Sequence, residues 1–163
     1  MIGLAATSVY LYFFGSPSVD DTTVTPPVAS ILDGPIAFVH HRDIYLIYPY
    51  GSNRTQLTGN SGRNKNPSWS PDGAKIAFTS DQAGTWDVYV INSDGSDQIN
   101  LTTHETADDY PTWSPDGTKI AFVSRRDGNA SDQEIYVMNA DGTGQTRLTN
   151  NPWADLFPAW SPE

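Results

Sequence analysis

The strongest constraint on this chain is an internal repeat. The segment Ser68–Phe78 reads SWSPDGAKIAF, and Thr112–Phe122 reads TWSPDGTKIAF. A further copy begins at Ala159 with AWSPE. Trp69, Trp113 and Trp160 are separated by 44 and 47 residues, and so are Tyr45, Tyr89 and Tyr136. Leu57, Leu101 and Leu148 keep the same spacing, and each is followed by Thr. From each Leu to the next Trp is always 12 residues, so the length variation falls between the Ile-Ala-Phe triplet and the Tyr-containing run. Variation confined to one place marks a surface loop.

Each unit reads as four short strands. In the second unit these are 66–70, 75–80, 86–92 and 98–102, the third carrying the alternating, β-branched run DVYVI. Pro71-Asp72-Gly73 and Asp94-Gly95 supply turns, since Gly reaches positive φ freely and Asp bonds its own backbone. Outside the first 15 residues no segment has a 3.6-residue apolar period. A period in the mid-forties with four strands per unit predicts an all-β fold of β-propeller blades, each of four antiparallel strands. The recurring Trp is expected to wedge between neighbouring sheets.

The first unit opens on its second strand, at Ile36, and the last holds only a first strand, 157–161. The chain therefore carries three units in permuted order, a partial or half propeller. Propellers typically have 4–8 blades. Three explanations stand side by side: a piece of a longer protein, a half-ring that pairs with a second copy, or an open stack.

The pattern P-x-W-S-P-D-G-x-K-I-A-F, followed by I-Y-x-x-N-x-D-G and L-T, resembles the TolB-like propeller repeat family (WD40-like) over residues 36–163. The resemblance implies a six-bladed ring and envelope-protein interactions outside the cytoplasm. It also admits the propeller portion of a larger enzyme, a prolyl-oligopeptidase-like peptidase or a polysaccharide lyase. TolB carries an additional N-terminal α/β domain, whereas about 30 residues precede the repeats here.

Those preceding residues divide in two. The run 1–15 is apolar and uncharged, the length of a signal-peptide core rather than a full span, and is expected to be helical, as an export signal or membrane anchor. Residues 16–30 are rich in Ser, Thr, Pro and Asp and read as a linker. The propeller repeats occupy 31–163. An extracytoplasmic location follows: periplasmic, secreted or membrane-anchored.

Lys+Arg 9 against Asp+Glu 19 gives a net charge of −10. That excludes a general nucleic-acid binder, which needs a basic face, and membrane contact other than through the N-terminal run. With no cysteine there is no disulfide framework, Cys-based zinc site or thiol chemistry. No G-x-S-x-G, H-E-x-x-H or P-loop pattern occurs, so no catalytic residue, cofactor or metal is expected. The acidic pairs Asp94/Asp97, Asp108/Asp109 and Asp127/Asp132 do not match a calcium loop. Asp72, Asp94, Asp116 and Asp141 are expected to serve their turns. His40 and His41 are adjacent in an expected strand and should point to opposite faces.

The connections from strand four to the next strand one, 59–66, 103–110 and 150–157, have constant length and divergent sequence. They are the expected site for a protein or peptide partner. The candidates are Arg63, Asn64, Lys65, His104, Glu105, Asp108, Asp109, Trp153 and Asp155. Asp108 and Asp109 are expected to be surface acids whose reversal weakens binding without loss of stability. The loops between strands two and three, 81–85 and 125–133, are expected at the outer periphery or opposite rim.

Overall fold

A computed structural model describes residues 34–51, 53–59, 62–127 and 133–162. The expected N-terminal helix and the linker lie outside the described residues. Three antiparallel sheets follow one another. Blade one comprises β1 (Ile36–His40), β2 (Asp43–Ile47) and β3 (Thr55–Gln56), with one 3₁₀ turn at Pro49–Gly51. Blade two holds β4 (Asn64–Trp69), β5 (Lys75–Ser80), β6 (Asp87–Asn92) and β7 (Ile99–Asn100). Blade three holds β8 (Asp108–Trp113), β9 (Lys119–Ser124), β10 (Glu134–Asn139) and β11 (Thr146–Arg147). Every sheet is a simple meander of sequential strands. No described helix is long and apolar enough to cross a membrane.

The core lies between blades. Ile44, Leu46 and Leu57 of blade one pack on Ile76, Phe78, Tyr89 and Ile91 of blade two. Ala77, Val88 and Val90 of blade two pack on Trp113, Ile120, Phe122, Tyr136 and Met138 of blade three. Alternation along each strand thus serves two apolar faces. One is a leading face, Ile-Phe-Tyr-Ile/Met plus the Trp; the other is a trailing face, Ala, two branched residues and a Leu. Trp113 is buried between sheets as expected, and Trp69 packs against the first cluster.

The Trp-bearing strands begin earlier than the sequence indicates. Asn64 pairs with Ser80 and Lys65 with Thr79, and the register then shifts before Ser68 pairs with Ala77. Blade three repeats this, with a shift between Asp109 and Thr112. Asn66, Tyr110 and Phe157 all take positive φ, 53°, 53° and 57°. Each precedes a proline, whose missing N–H interrupts the ladder. Proline is accommodated on edge strands and at bulges, and these are edge strands. Asn64, Lys65, Asp108 and Asp109 are therefore strand residues rather than loop residues.

Two further expectations are corrected. Segment 157–161 forms no ladder, because no second strand lies beside it among the described residues. It is nevertheless placed: Trp160 Nε1 donates to the Thr112 carbonyl at 3.1 Å, and Phe157 meets Tyr110 edge-on at 4.6 Å. His41 is not in a strand. It forms the β1–β2 turn with Arg42, both at positive φ, so its ring swings back to within 4.2 Å of His40 instead of to the other face.

The turns behave as their composition suggests. Asp72 accepts from Ser70 Oγ and Ala74 N, and Asp116 accepts from Ser114 Oγ and Thr118 N. These bonds favour the carboxylates and lower both pKa values, that of Asp116 to about 2. Gly73 and Gly117 follow at φ 69° and 70°, which a side chain would resist.

Candidate partner-binding rim

Each Trp-bearing strand runs away from the strand-four connection toward the Pro-Asp-Gly turn. The strand-four connections and the strand-two-to-three loops therefore share one end. Contacts confirm it: Arg63 N and Nε donate to Asp81 at 2.5 and 2.6 Å, and a Cβ added at Gly62 would lie 2.6 Å from Gln82. The loop 81–85 belongs to the same rim as the candidate residues, not to an opposite one.

Over this rim Trp86 carries two cations on its ring. The Arg63 guanidinium lies 5.0 Å and the Lys65 ammonium 4.0 Å from the centroid. Lys65 also pairs with Asp109 at 2.6 Å, tying blade two to blade three. Asp109 further accepts from Asn66 and Thr79 at 2.7 and 2.9 Å. His104 and Glu105 are exposed, with His104 Nδ1 against Thr106 Oγ1. Trp153 is 78% exposed. Asp155 is half-buried and accepts from Asn151 Nδ2 at 2.7 Å.

Asn64 and Asp108 are brought to the rim but face inward, 2% and 0% exposed. They belong to a repeated joint that sequence reading passed over. In each blade the Thr of the Leu-Thr pair accepts the backbone N–H of Ile44, Val88 or Ile135, always at 2.9 Å. The residue before that amide is acidic: Asp43, Asp87 or Glu134. Thr58 donates to Asp43 at 3.0 Å and Thr149 to Glu134 at 2.6 Å. Asn64, Asp108 and Asp155 occupy the matching place on the next strand, their amides donating to the carbonyls of Arg42, Trp86 and Gln133 at 2.7 Å each. An acid two residues before every recurring Tyr was the available signal. Trp86 and Asp81 were missed because their role depends on loop proximity.

The joint differs in chemistry from blade to blade. At the first, Asn64 Nδ2 donates to Asp43 Oδ1 at 3.2 Å. At the second, two carboxylates meet. Asp108 Oδ2 is held by Arg126 at 2.7 Å, and Asp87 Oδ2 by Asn100 at 3.1 Å. Among the described residues the buried Oδ1 atoms of both have no hydrogen-bond partner. Burial raises the pKa of each, and the Asp108 charge raises that of Asp87 further. Folding thus favours their protonated forms. This contribution is complete below the unfolded value of 3.8 and is lost as pH rises through the raised folded values. Asp87→Asn is expected to remove the Asp87 share of that loss and add one hydrogen bond, about 1 kcal/mol at neutral pH. Melting temperatures from pH 4 to 8 check it; a variant whose profile falls as steeply as that of the parent would refute it.

Antiparallel meanders of three and four strands stacked face to face, with a Trp wedged at each interface, define part of a β-propeller. The model of the TolB beta propeller domain matches residues 39–131, and the chain belongs to that family. It is similar to a protein assigned as TolB from Agrobacterium tumefaciens, with 30% identity and TM-score 0.63, covering 71% of this chain and 44% of that one. A TolB of Acinetobacter baumannii shares the fold at 23% identity and TM-score 0.63, covering 72% and 31%. So does dipeptidyl peptidase 4 of Porphyromonas gingivalis, at 15% identity and TM-score 0.54, covering 74% and 17%. The chain thus spans less than half the length of these structures. No curated protein matches the sequence.

Proposed function

We propose that this chain is a non-catalytic, extracytoplasmic propeller module that binds a protein or peptide partner across the rim. The carrying observation is that loops from successive blades share this end, with Trp153, His104 and Glu105 exposed on them and the Arg63–Trp86–Lys65 stack at the same end. Large amphipathic rings at a polar rim suit protein recognition. The net charge of −10 favours a cationic partner surface. In this reading residues 1–15 are an export signal or membrane anchor and 16–30 a spacer. Two copies joined end to end would supply six blades.

Affinity capture from an envelope extract tests the proposal. Trp153→Ala and Glu105→Lys are expected to lower recovery of the captured protein at least tenfold, with melting temperatures unchanged. Asp94→Lys, on the opposite end, should leave recovery intact. Equal recovery by all three variants would sink the rim assignment. Similarity to a peptidase structure favours a second reading, the propeller portion of a larger enzyme. A catalytic domain with a G-x-S-x-G elbow in the flanking reading frame would support it.

A further inference from the structure

Charge is distributed unevenly between the rim and the end opposite it. All four ion pairs among the described residues lie toward the rim: Arg63–Asp81, Lys65–Asp109, Arg126–Asp108 and Arg147–Glu134. At the opposite end, the turns of blades two and three carry five acids, Asp72, Asp94, Asp97, Asp116 and Asp141, against two bases, Lys75 and Lys119. All five acids are exposed, and none is in an ion pair among the described residues. The two lysines do not neutralise them, because they donate to Asn92 and Asn139, each at 2.9 Å. Hydroxyl hydrogen bonds from Ser70, Ser96, Ser114 and Thr143 hold the Asp72, Asp94, Asp116 and Asp141 carboxyls below the usual range. This end therefore stays negatively charged.

Between these turns the interface of blades two and three opens into a groove with two wells. The lining of the inner well, about 280 Å³, includes Asp72, Asp116, Pro71 and Trp113. Trp113 is 8% exposed, and its indole N–H has no acceptor among the described residues, whereas Trp160 at the same repeat position donates to Thr112. The outer well, about 360 Å³, is lined by Val90, Ile99 and Leu101, with Asp141 beside them. Lys75 and Ala140 line both wells, so one continues into the other. Ile99 is 54% exposed, an apolar side chain left open in the outer well. Both walls of the groove belong to complete four-stranded sheets.

No residue outside the described ones is Lys or Arg, so these 163 residues hold no further base to match the acids. We propose that the groove is a second docking surface, for an extended segment of a partner protein with a branched apolar residue in the outer well and a Lys or Arg two residues on, between Asp72 and Asp116. An extended chain sets residues i and i+2 on one face, which suits two wells that share a wall. The apolar well supplies burial, and the unpaired carboxylates select a basic segment and repel an acidic one. The proposal goes beyond the rim reading and does not rest on it. With both ends occupied, the module joins two partners.

The probe is the capped peptide Leu-Ser-Lys-Ser-Lys, titrated into the ¹⁵N-labelled full chain in mild detergent and followed by amide NMR shifts. Saturable shifts are expected at Ile99, Gly117 and Ala140, with His104 and Glu105 unmoved. The same peptide with Glu for Lys should bind at least tenfold more weakly. Asp72→Asn/Asp116→Asn keeps the Oδ1 acceptors that the two turns use and removes only the charges. It should weaken the Lys peptide at least fivefold and bring the two peptides toward equal affinity. Ile99→Ser, at an exposed position, should weaken both peptides. No shift at millimolar peptide, shifts confined to rim amides, or equal binding of the two peptides by the parent would each overturn the proposal. None of these results bears on the capture test of the rim, which substitutes no residue of the groove.

Discussion

Replacing Trp113 with alanine is expected to lower stability by about 3–5 kcal/mol, the cost of a large aromatic cavity in a packed core. Trp113 is 8% exposed and sits in the cluster joining blades two and three. Both sheets keep their own ladders, so they cannot collapse inward to refill the space. Denaturant midpoints for the variant and parent measure the effect. Trp160→Ala provides the contrast. That ring is 38% exposed and donates a hydrogen bond to the Thr112 carbonyl, so its loss should cost far less. Equal losses at the two sites would show that the Trp residues do not act as interface wedges.

Asp108→Ala is expected to destabilise by a comparable 3–5 kcal/mol, because it breaks a buried ion pair and strands the other member. The Asp108 side chain is fully buried and that of Arg126 is 13% exposed. Arg126 also donates to Gln145 and Ser124 and lies across Tyr136 and Phe122. One guanidinium therefore organises the third blade and its joint with the second. The double variant Asp108→Ala/Arg126→Met should recover much of the loss, since removing both members leaves no unpaired charge. Absence of recovery would mean that Arg126 contributes mainly through the aromatic faces. Asp108 cannot be the freely reversible surface acid its loop-like sequence context suggests. By contrast Asp109, on the other face of the same strand, keeps its partner Lys65 at the half-exposed rim.

Most of the architecture is legible in the repeat. Trp spacing, Asp-Gly turns and alternating apolar runs are local patterns, and the backbone geometry they require is local too. That is why β5, at Lys75–Ser80, begins and ends where the sequence places it. The inner strands were misjudged by two residues because Asn64-Lys65 and Asp108-Asp109 read as polar loop. Their β conformation comes from pairing with Ser80 and Ser124, past a bulge that the following prolines impose. Of the candidate rim residues, those remaining exposed are Arg63, His104, Glu105 and Trp153. Whether a polar side chain faces solvent or a neighbouring blade depends on the next repeat, some 44 residues away.

The sequence alone determined the number of repeat units, the order of strands within a blade, and the turns that join them. These follow from side-chain periodicity and turn composition, which act over a few residues. Only the tertiary structure decided which acids are buried, which loops share an end, and that Arg63, Lys65 and Trp86 meet. Those outcomes depend on stacking one sheet against the next, which brings distant residues together and removes water from between them. Stacking also buries Ile76, Phe78, Tyr89 and Ile91 of blade two and Ile120, Phe122, Tyr136 and Met138 of blade three between sheets.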